Sequence, residues 1–335
     1  MSDLRSPSPP AVLPLEGSSM LQADAEGWIS TRPVRALEVG QRLVLLPALL
    51  WRHRDLVSTS VRRELGARFT GTVLGWIWPL VHPLFLFLVY YFIFTKLLQL
   101  KLASLPAGQE AALGVFMFVG IMVWAAISES LVRGTNAIVE NGNMIKKLAF
   151  PAEILPLNVT LVGLVTLVFA VLVFIAGCVF TPMWVAPGWG LLWIPVLLLL
   201  QCIFTYGLVL LLGTLHVFLR DTLQVVSVLA TVWMFATPLF WVPLTEVMGK
   251  GIEPYLPFIR ANPLYHLVHA WRGALMGELV VPAHETQHGW VEAVAATSPD
   301  FVGPSVLVFA VWAVAAFVVG FAFFVVGQRR FADEV

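Results

Sequence analysis

Charge is what this sequence has least of: Asp, Glu, Lys and Arg make up 12% of its 335 residues and cancel to a formal net charge of zero. So little polar surface excludes an ordinary soluble domain, and the zero balance removes the bulk attraction that nucleic-acid binders use. Cysteine is nearly absent too. Cys178 and Cys202 both sit in apolar runs, where a thiol acts as a small hydrophobe rather than a ligand or redox centre. The first 40 residues hold Pro, Ser and acidic groups but no apolar leader core, so the first span is expected to target the chain. The phosphate-cradling pattern G-x-x-x-x-G-K-[ST] is missing. The spans also lack the carboxylate and histidine series of many proton-driven carriers, so energy must come from outside the chain.

What the sequence has is hydrophobic residues, 59% of the total. They gather into six runs, at about 74–98, 113–133, 155–180, 190–216, 223–242 and 304–327. Each is long enough to cross a bilayer at about 1.5 Å per residue. Lipid offers no partner for a bare backbone, so the expected fold class is an all-α integral membrane protein with six transmembrane helices. Pro79, Pro83 and Pro238 are expected to kink the first and fifth. Glu129 and Arg133 are spaced as an ion pair near the end of the second.

Residues 1–50 read as a flexible cytoplasmic tail, rich in turn formers in its first 40 residues. Within it, 42–51 is apolar, too short to span, interrupted by Pro47, and expected at the membrane surface. Residues 51–335 then form the six-span domain. Asp55 is expected to cap an interfacial amphipathic helix with Val57, Val61, Leu65 and Phe69 on one face and Arg62, Arg63, Glu64 and Arg68 elsewhere. With both termini inside, Lys96, Lys101, Lys250, Arg260 and Arg272 are the outer members of the 20 Lys and Arg. The other fifteen lie on the cytoplasmic side, a strong positive-inside bias.

Two connections carry information. The inner one, about 134–154, sets Glu140, Asn141, Lys146 and Lys147 among apolar Ile138, Ile145, Leu148 and Phe150. It reads either as a short surface helix ended by Pro151 that docks a partner, or as a solvated loop whose lysines obey the positive-inside rule. The outer one, 243–303, holds a short helix with Asn262 as N-cap, Pro263 at its first position and an end near Gly277. Tyr255, Phe258, Tyr265 and Trp271 place it at the outer headgroups. Arg260 and Arg272 would then face lipid phosphate, or the phosphate of an anionic cargo.

His284, Glu285 and His288 match H-E-x-x-H, in which two histidines one helical turn apart bind zinc and the glutamate activates water. Pro282 and Gly289 bracket the match closely and leave little room for that helix. Solvated loop histidines are the plainer reading.

Four blocks in order then carry a resemblance. They are RRELGARFTGTVLGWIWPLVHPLFLFLVYYFIF at 62–94, IVENGNMIKKLAFPAEILPL at 138–157, FLRDTLQVVSVLATVWMFATPLFW at 218–241 and ANPLYHLVHAWRGALMG at 261–277. The chain from about 52 to 330 resembles the permease subunits of ABC exporters for O-antigen, capsule and teichoic acid. The resemblance implies a homodimer in the bacterial cytoplasmic membrane, moving lipid-linked polysaccharide and itself no enzyme. It also implies two nucleotide-binding subunits that hold ATP and magnesium, with no cofactor in this chain. The interface helix falls on about 53–70, the coupling helix on 138–150 and short outer gate helices on about 252–277. Coupling is thereby expected at Arg62, Arg63, Glu64, Glu140, Asn141, Lys146 and Lys147. The outer gate is expected at Tyr255, Phe258, Asn262, Pro263, Tyr265 and Arg272.

A sugar polymer passing through needs aromatic platforms that do not grip one position. Trp76, Trp78, Tyr90, Tyr91, Trp124, Trp233 and Phe235 are the expected channel residues, with interface anchoring or lipid-facing packing as the plainer reading of each. Apart from cargo, the expected partners are membrane lipids, and no nucleic acid. Export of teichoic acid, lipid or a drug through the same architecture is the alternative, and a membrane zinc hydrolase the more distant one.

Overall fold

The computed structural model describes residues 36–69, 71, 75–97, 112–147, 151–180, 188–243, 250–281, 284–286, 289–291 and 294–334. Among the described residues, four helices are long and apolar enough to cross a membrane: Gly114–Glu140, Ile154–Cys178, Trp189–Phe218 and Pro299–Gln328. Two apolar helices are shorter, Leu80–Val89 and Thr222–Ala236. The chain is thus a multi-pass, mostly helical membrane protein.

In chain order the helices are α1 (Ala36–Arg52), α2 (Arg54–Phe69), α3 (Trp78–Tyr91), α4 (Ala112–Glu140), α5 (Gly142–Lys147) and α6 (Ile154–Phe180). They continue as α7 (Ile194–Phe218), α8 (Thr222–Ala236), α9 (Leu256–Ala261), α10 (Pro263–Met276), α11 (Val302–Gln328) and α12 (Phe331–Glu334). Several hydroxyls inside the long helices are satisfied locally. Ser130, Thr135, Thr160 and Thr214 each donate to the carbonyl four residues back, at 2.7, 2.6, 2.9 and 2.7 Å. This is how a hydroxyl is accommodated where no water is available.

Helices α7 and α11 form the most extensive pair. Gly207 and Gly320 meet backbone to backbone there, and a Cβ on either would collide with the other helix. Small residues at such a crossing let helices approach closely, which is the main packing force available in lipid. Helix α4 lies against α6 and α7 and is the most enclosed of the long helices.

Several expectations change. Residues 36–50, expected within an irregular tail, are helical: α1 carries Pro47 inside it and runs into α2 through a single turn at His53. His53 N donates to Leu49 O at 3.1 Å and Val57 N to His53 O at 3.0 Å, so the two helices are nearly continuous. Asp55 is therefore in the first turn of α2 rather than at its cap. Residues 1–35 lie outside the described residues.

The expected span at 74–98 is helical from Gly75 to Leu97 but changes pitch along its length, from a 3-10 turn (Gly75–Ile77) through α3 to a π-helical stretch (Phe92–Leu97). Pro238 does not kink the fifth expected span but ends it. Thr237 before it is extended (φ −99°, ψ 135°), as the clash with a following proline ring requires. Helix α8 is left with 15 residues, about 22 Å of rise.

The all-α expectation also gives way in the segment after Gly277, whose φ of 68° stops α10. There β1 (Leu279–Val281) pairs antiparallel with β4 (Val294–Thr297), and β2 (His284–Thr286) with β3 (Gly289–Val291).

Candidate functional site

At one end of the bundle, α9, α10 and the end of α8 enclose an open, largely apolar cavity of about 860 Å³. Its lining includes Trp233, Trp241, Ile252, Tyr255, Phe258, Asn262 and Pro263. Asn262 organises this corner. Its Oδ1 accepts from Leu264 N at 3.0 Å, the expected N-cap, and from Trp233 Nε1 at 2.9 Å. Its Nδ2 donates to Thr237 Oγ1 at 2.9 Å. One side chain thereby joins the start of α10 to the last turn of α8.

Four of the expected gate residues, Tyr255, Phe258, Asn262 and Pro263, meet the expected channel residue Trp233 in this cavity. Tyr255 and Phe258 stand exposed on its rim. Trp241 and Ile252 were missed by the sequence reading; the aromatic pair around Pro238, Trp233 and Trp241, was the available signal.

Tyr265 and Arg272 belong elsewhere. Tyr265 meets His266 edge-on and lies tilted against His269, centroids 5.0 and 5.6 Å apart. Arg272 does not face lipid phosphate. It is 2% exposed, and its Nε and two Nη atoms donate to Phe116 O (3.1 Å), Pro238 O (2.8 Å) and Leu239 O (2.8 Å). Its guanidinium also lies 3.3 Å from the centroid of the Phe116 ring. The charge is dispersed over three carbonyls and a π face, the arrangement that makes a buried arginine tolerable. Trp271, expected at the headgroups, is fully buried and donates to Gln201 Oε1 at 3.1 Å. Helix α10 is accordingly a buried strut between α4 and α11, not a helix lying on the surface.

The remaining channel candidates divide. Trp124 is buried and meets Trp233 edge-on at 6.1 Å; Phe204 meets Trp233 at 6.4 Å and Phe309 at 5.2 Å. These rings form an interior row across α4, α8, α7 and α11. Phe235 on α8 and Trp78 on α3 are exposed instead. Trp76, Tyr90 and Tyr91 lie on described backbone, but their side chains are outside the described residues.

At the opposite end, α4 continues seven residues past its expected limit at 133, to Glu140. Asn141 forms the turn into α5, its Nδ2 donating to Ala137 O at 2.8 Å. Ile138 is fully buried and Ile145 packs in the same cluster, while Glu140 and Lys146 are exposed. The segment thus has apolar anchors inside and charges outside. Leu148 and Phe150 lie outside the described residues, as does the side chain of Lys147.

Helix α2 is tied to α4 by four charges. Arg68 Nη1 lies 2.6 Å from Glu129 Oε1, Arg133 Nη2 is 2.6 Å from Glu64 Oε1, and Arg133 Nη1 is 3.4 Å from Glu129 Oε1. The expected Glu129–Arg133 pair is therefore one edge of a network. Burial pulls the Arg68 guanidinium below its usual pKa, against the opposing pull of Glu129. Glu64 is engaged within the chain, whereas Arg62 and Arg63 are exposed. Arg68 was unforeseeable as a partner of Glu129, because no local spacing links them.

His284 and Glu285 lie on β2, paired with Val291 and Trp290. Among the described residues the motif therefore begins on a strand, not on the helix whose one face zinc binding by H-E-x-x-H needs. His288 lies outside the described residues.

Comparison with known proteins matches residues 55–276 to the family described as ABC-2 type transporter. The chain is 31% identical over 231 residues to the O-antigen export system permease protein RfbA of Myxococcus xanthus, covering 69% of this chain and 84% of that one. It is 28% identical over 227 residues to RfbA of Klebsiella pneumoniae, covering 66% and 80%. With a family match across most of the bundle, including α2, α4, α8 and α10, this chain belongs to the membrane components of the ABC-2 type transporters.

Proposed function

We propose that this chain is the membrane subunit of an ATP-driven exporter that moves a lipid-linked, O-antigen-like polysaccharide across the bacterial cytoplasmic membrane. The observation that carries the reading is the aromatic-rimmed cavity at Trp233, Tyr255 and Phe258, in a chain whose relatives are named as O-antigen export permeases. Flat rings offer a sugar's C–H faces contact without fixing its register, which suits a sliding polymer.

In this reading α3 and α8 complete six membrane crossings, and both termini face the cytoplasm, in keeping with the distribution of Lys and Arg. Two copies of the chain flank the conduit. Two separate nucleotide-binding subunits bind ATP and magnesium and press on α2 and α5, where exposed Arg62, Arg63, Glu140 and Lys146 offer charged contacts. Trp233, Phe235 and Trp78 face the passing glycan; α9 and α10 border the exit.

The test is deletion of the gene, followed by analysis of lipid-linked glycan on each side of the membrane. Accumulation inside, reversed by the intact chain together with a co-purifying ATPase, is the expected result. Normal glycan at the surface, or full function of the purified chain without an ATPase, overturns the reading.

A further inference from the structure

Helix α1 lies before residue 55, where the family match begins, and it is apolar on two sides. At 100° per residue, Val39, Leu43, Leu46 and Leu50 fall together, and they pack in a cluster with Phe321, Phe324 and Phe331. Leu37, Val44 and Trp51 fall on the opposite side and are 77%, 75% and 71% exposed. A helix at a protein–water boundary turns polar residues outward. This one does not.

The position of α1 says what lies outside it. Glu38 pairs with Arg329 at 2.9 Å, and Arg42 donates to Gln328 Oε1 at 3.1 Å. These contacts fix α1 beside the last turn of α11, at the level where the final apolar run ends. Glu38 and Arg42 in the first turns of α1 are held at that level, and its far end runs straight on into the charged α2, so α1 suits lying against the bilayer rather than crossing it. At its end Arg52 and Arg54 are exposed, and among the described residues no carboxylate pairs with either. The Arg54 guanidinium lies 5.2 Å over the Trp51 ring. Apolar side chains, an indole and adjacent guanidinium groups together match acyl chains below a negatively charged headgroup.

We propose that the outward face of α1, with Arg52 and Arg54 at its end, binds anionic phospholipid of the leaflet at this end of the bundle. The inference rests on the membrane-spanning fold and is independent of the cargo. A second protein covering the same face is the competing occupant, and the test separates the two.

The full chain, with Cys178→Ser and Cys202→Ser, is spin-labelled at Val44→Cys and placed in bilayer discs of phosphatidylcholine and phosphatidylglycerol. Relaxation by oxygen exceeding that by a water-soluble nickel chelate is expected, which places the label among acyl chains. Dominance of the nickel chelate, or shielding from both reagents as beneath a protein, overturns the proposal. The headgroup part is read by native mass spectrometry as retention of phosphatidylglycerol over phosphatidylcholine. Arg52→Gln with Arg54→Gln should lower that preference by about fivefold for each charge removed. An unchanged preference overturns the assignment of these arginines.

Discussion

Replacing Arg272 with methionine tests whether α10 is a strut. The substitution keeps length and apolar volume but removes all three donors. Phe116 O lies inside α4 and keeps its helical partner, whereas Pro238 O and Leu239 O lie beyond the end of α8. A hydrogen bond from a charged donor contributes about 1.5–3 kcal/mol. Two stranded carbonyls, less about 1–2 kcal/mol of relief from no longer burying a guanidinium, give a net loss of about 2–4 kcal/mol. At roughly 2 °C per kcal/mol for a chain of this size, the midpoint falls by about 4–8 °C. The assay heats detergent-solubilised protein and measures the folded fraction by size-exclusion chromatography. Arg260→Met is the control, since Arg260 is exposed in the same segment and its loss stays within about 0.5 kcal/mol. Arg272→Lys, with a point charge in place of a fork, falls between the two. Equal midpoints for Arg272→Met and Arg260→Met refute the reasoning.

Gly320→Val drives a side chain into the backbone of Gly207 and costs more than about 3 kcal/mol, while Gly303→Ala, which meets nothing within 4 Å, leaves the same heating curve unchanged. Asn262→Ala removes the cap together with the bonds to Trp233 and Thr237, a loss of about 2 kcal/mol. Asn262→Asp keeps both acceptor bonds and should lie between it and the parent in that assay. Glu140→Ala with Lys146→Ala, both exposed, leaves the heating midpoint within about 1 kcal/mol of the parent. In the purified complex it should lower stimulation of the partner ATPase several-fold; undiminished stimulation counts against α5 as the contact.

The four long helices were legible because their runs are apolar on every side, and only a membrane or a large core accommodates that pattern. The continuation of α4 past residue 133 was not. Gly134, Thr135 and Asn136 look like loop residues in isolation. In the fold, Gly134 lets α4 press on Val209, and Thr135 returns its hydroxyl to Leu131 O. The interior place of Trp271 and Arg272 was hidden for a related reason. Each is satisfied by groups distant in sequence, Gln201 for one and the carbonyls of Phe116, Pro238 and Leu239 for the other. The cap at Asn262 and the stop at Gly277 needed only local chemistry, and both hold.

Direct backbone contact between Gly207 and Gly320 leaves no layer of side chains to act as a bearing. Twisting α7 against α11 would push one main chain into the other, so the two must travel as a single plate whenever the protein changes shape. Displacement falls instead to α3 and α8, short helices that contain no glycine and meet their neighbours through side chains alone. A crosslink joining α7 to α11 should therefore leave transport running, and one pinning α8 to α4 should stop it.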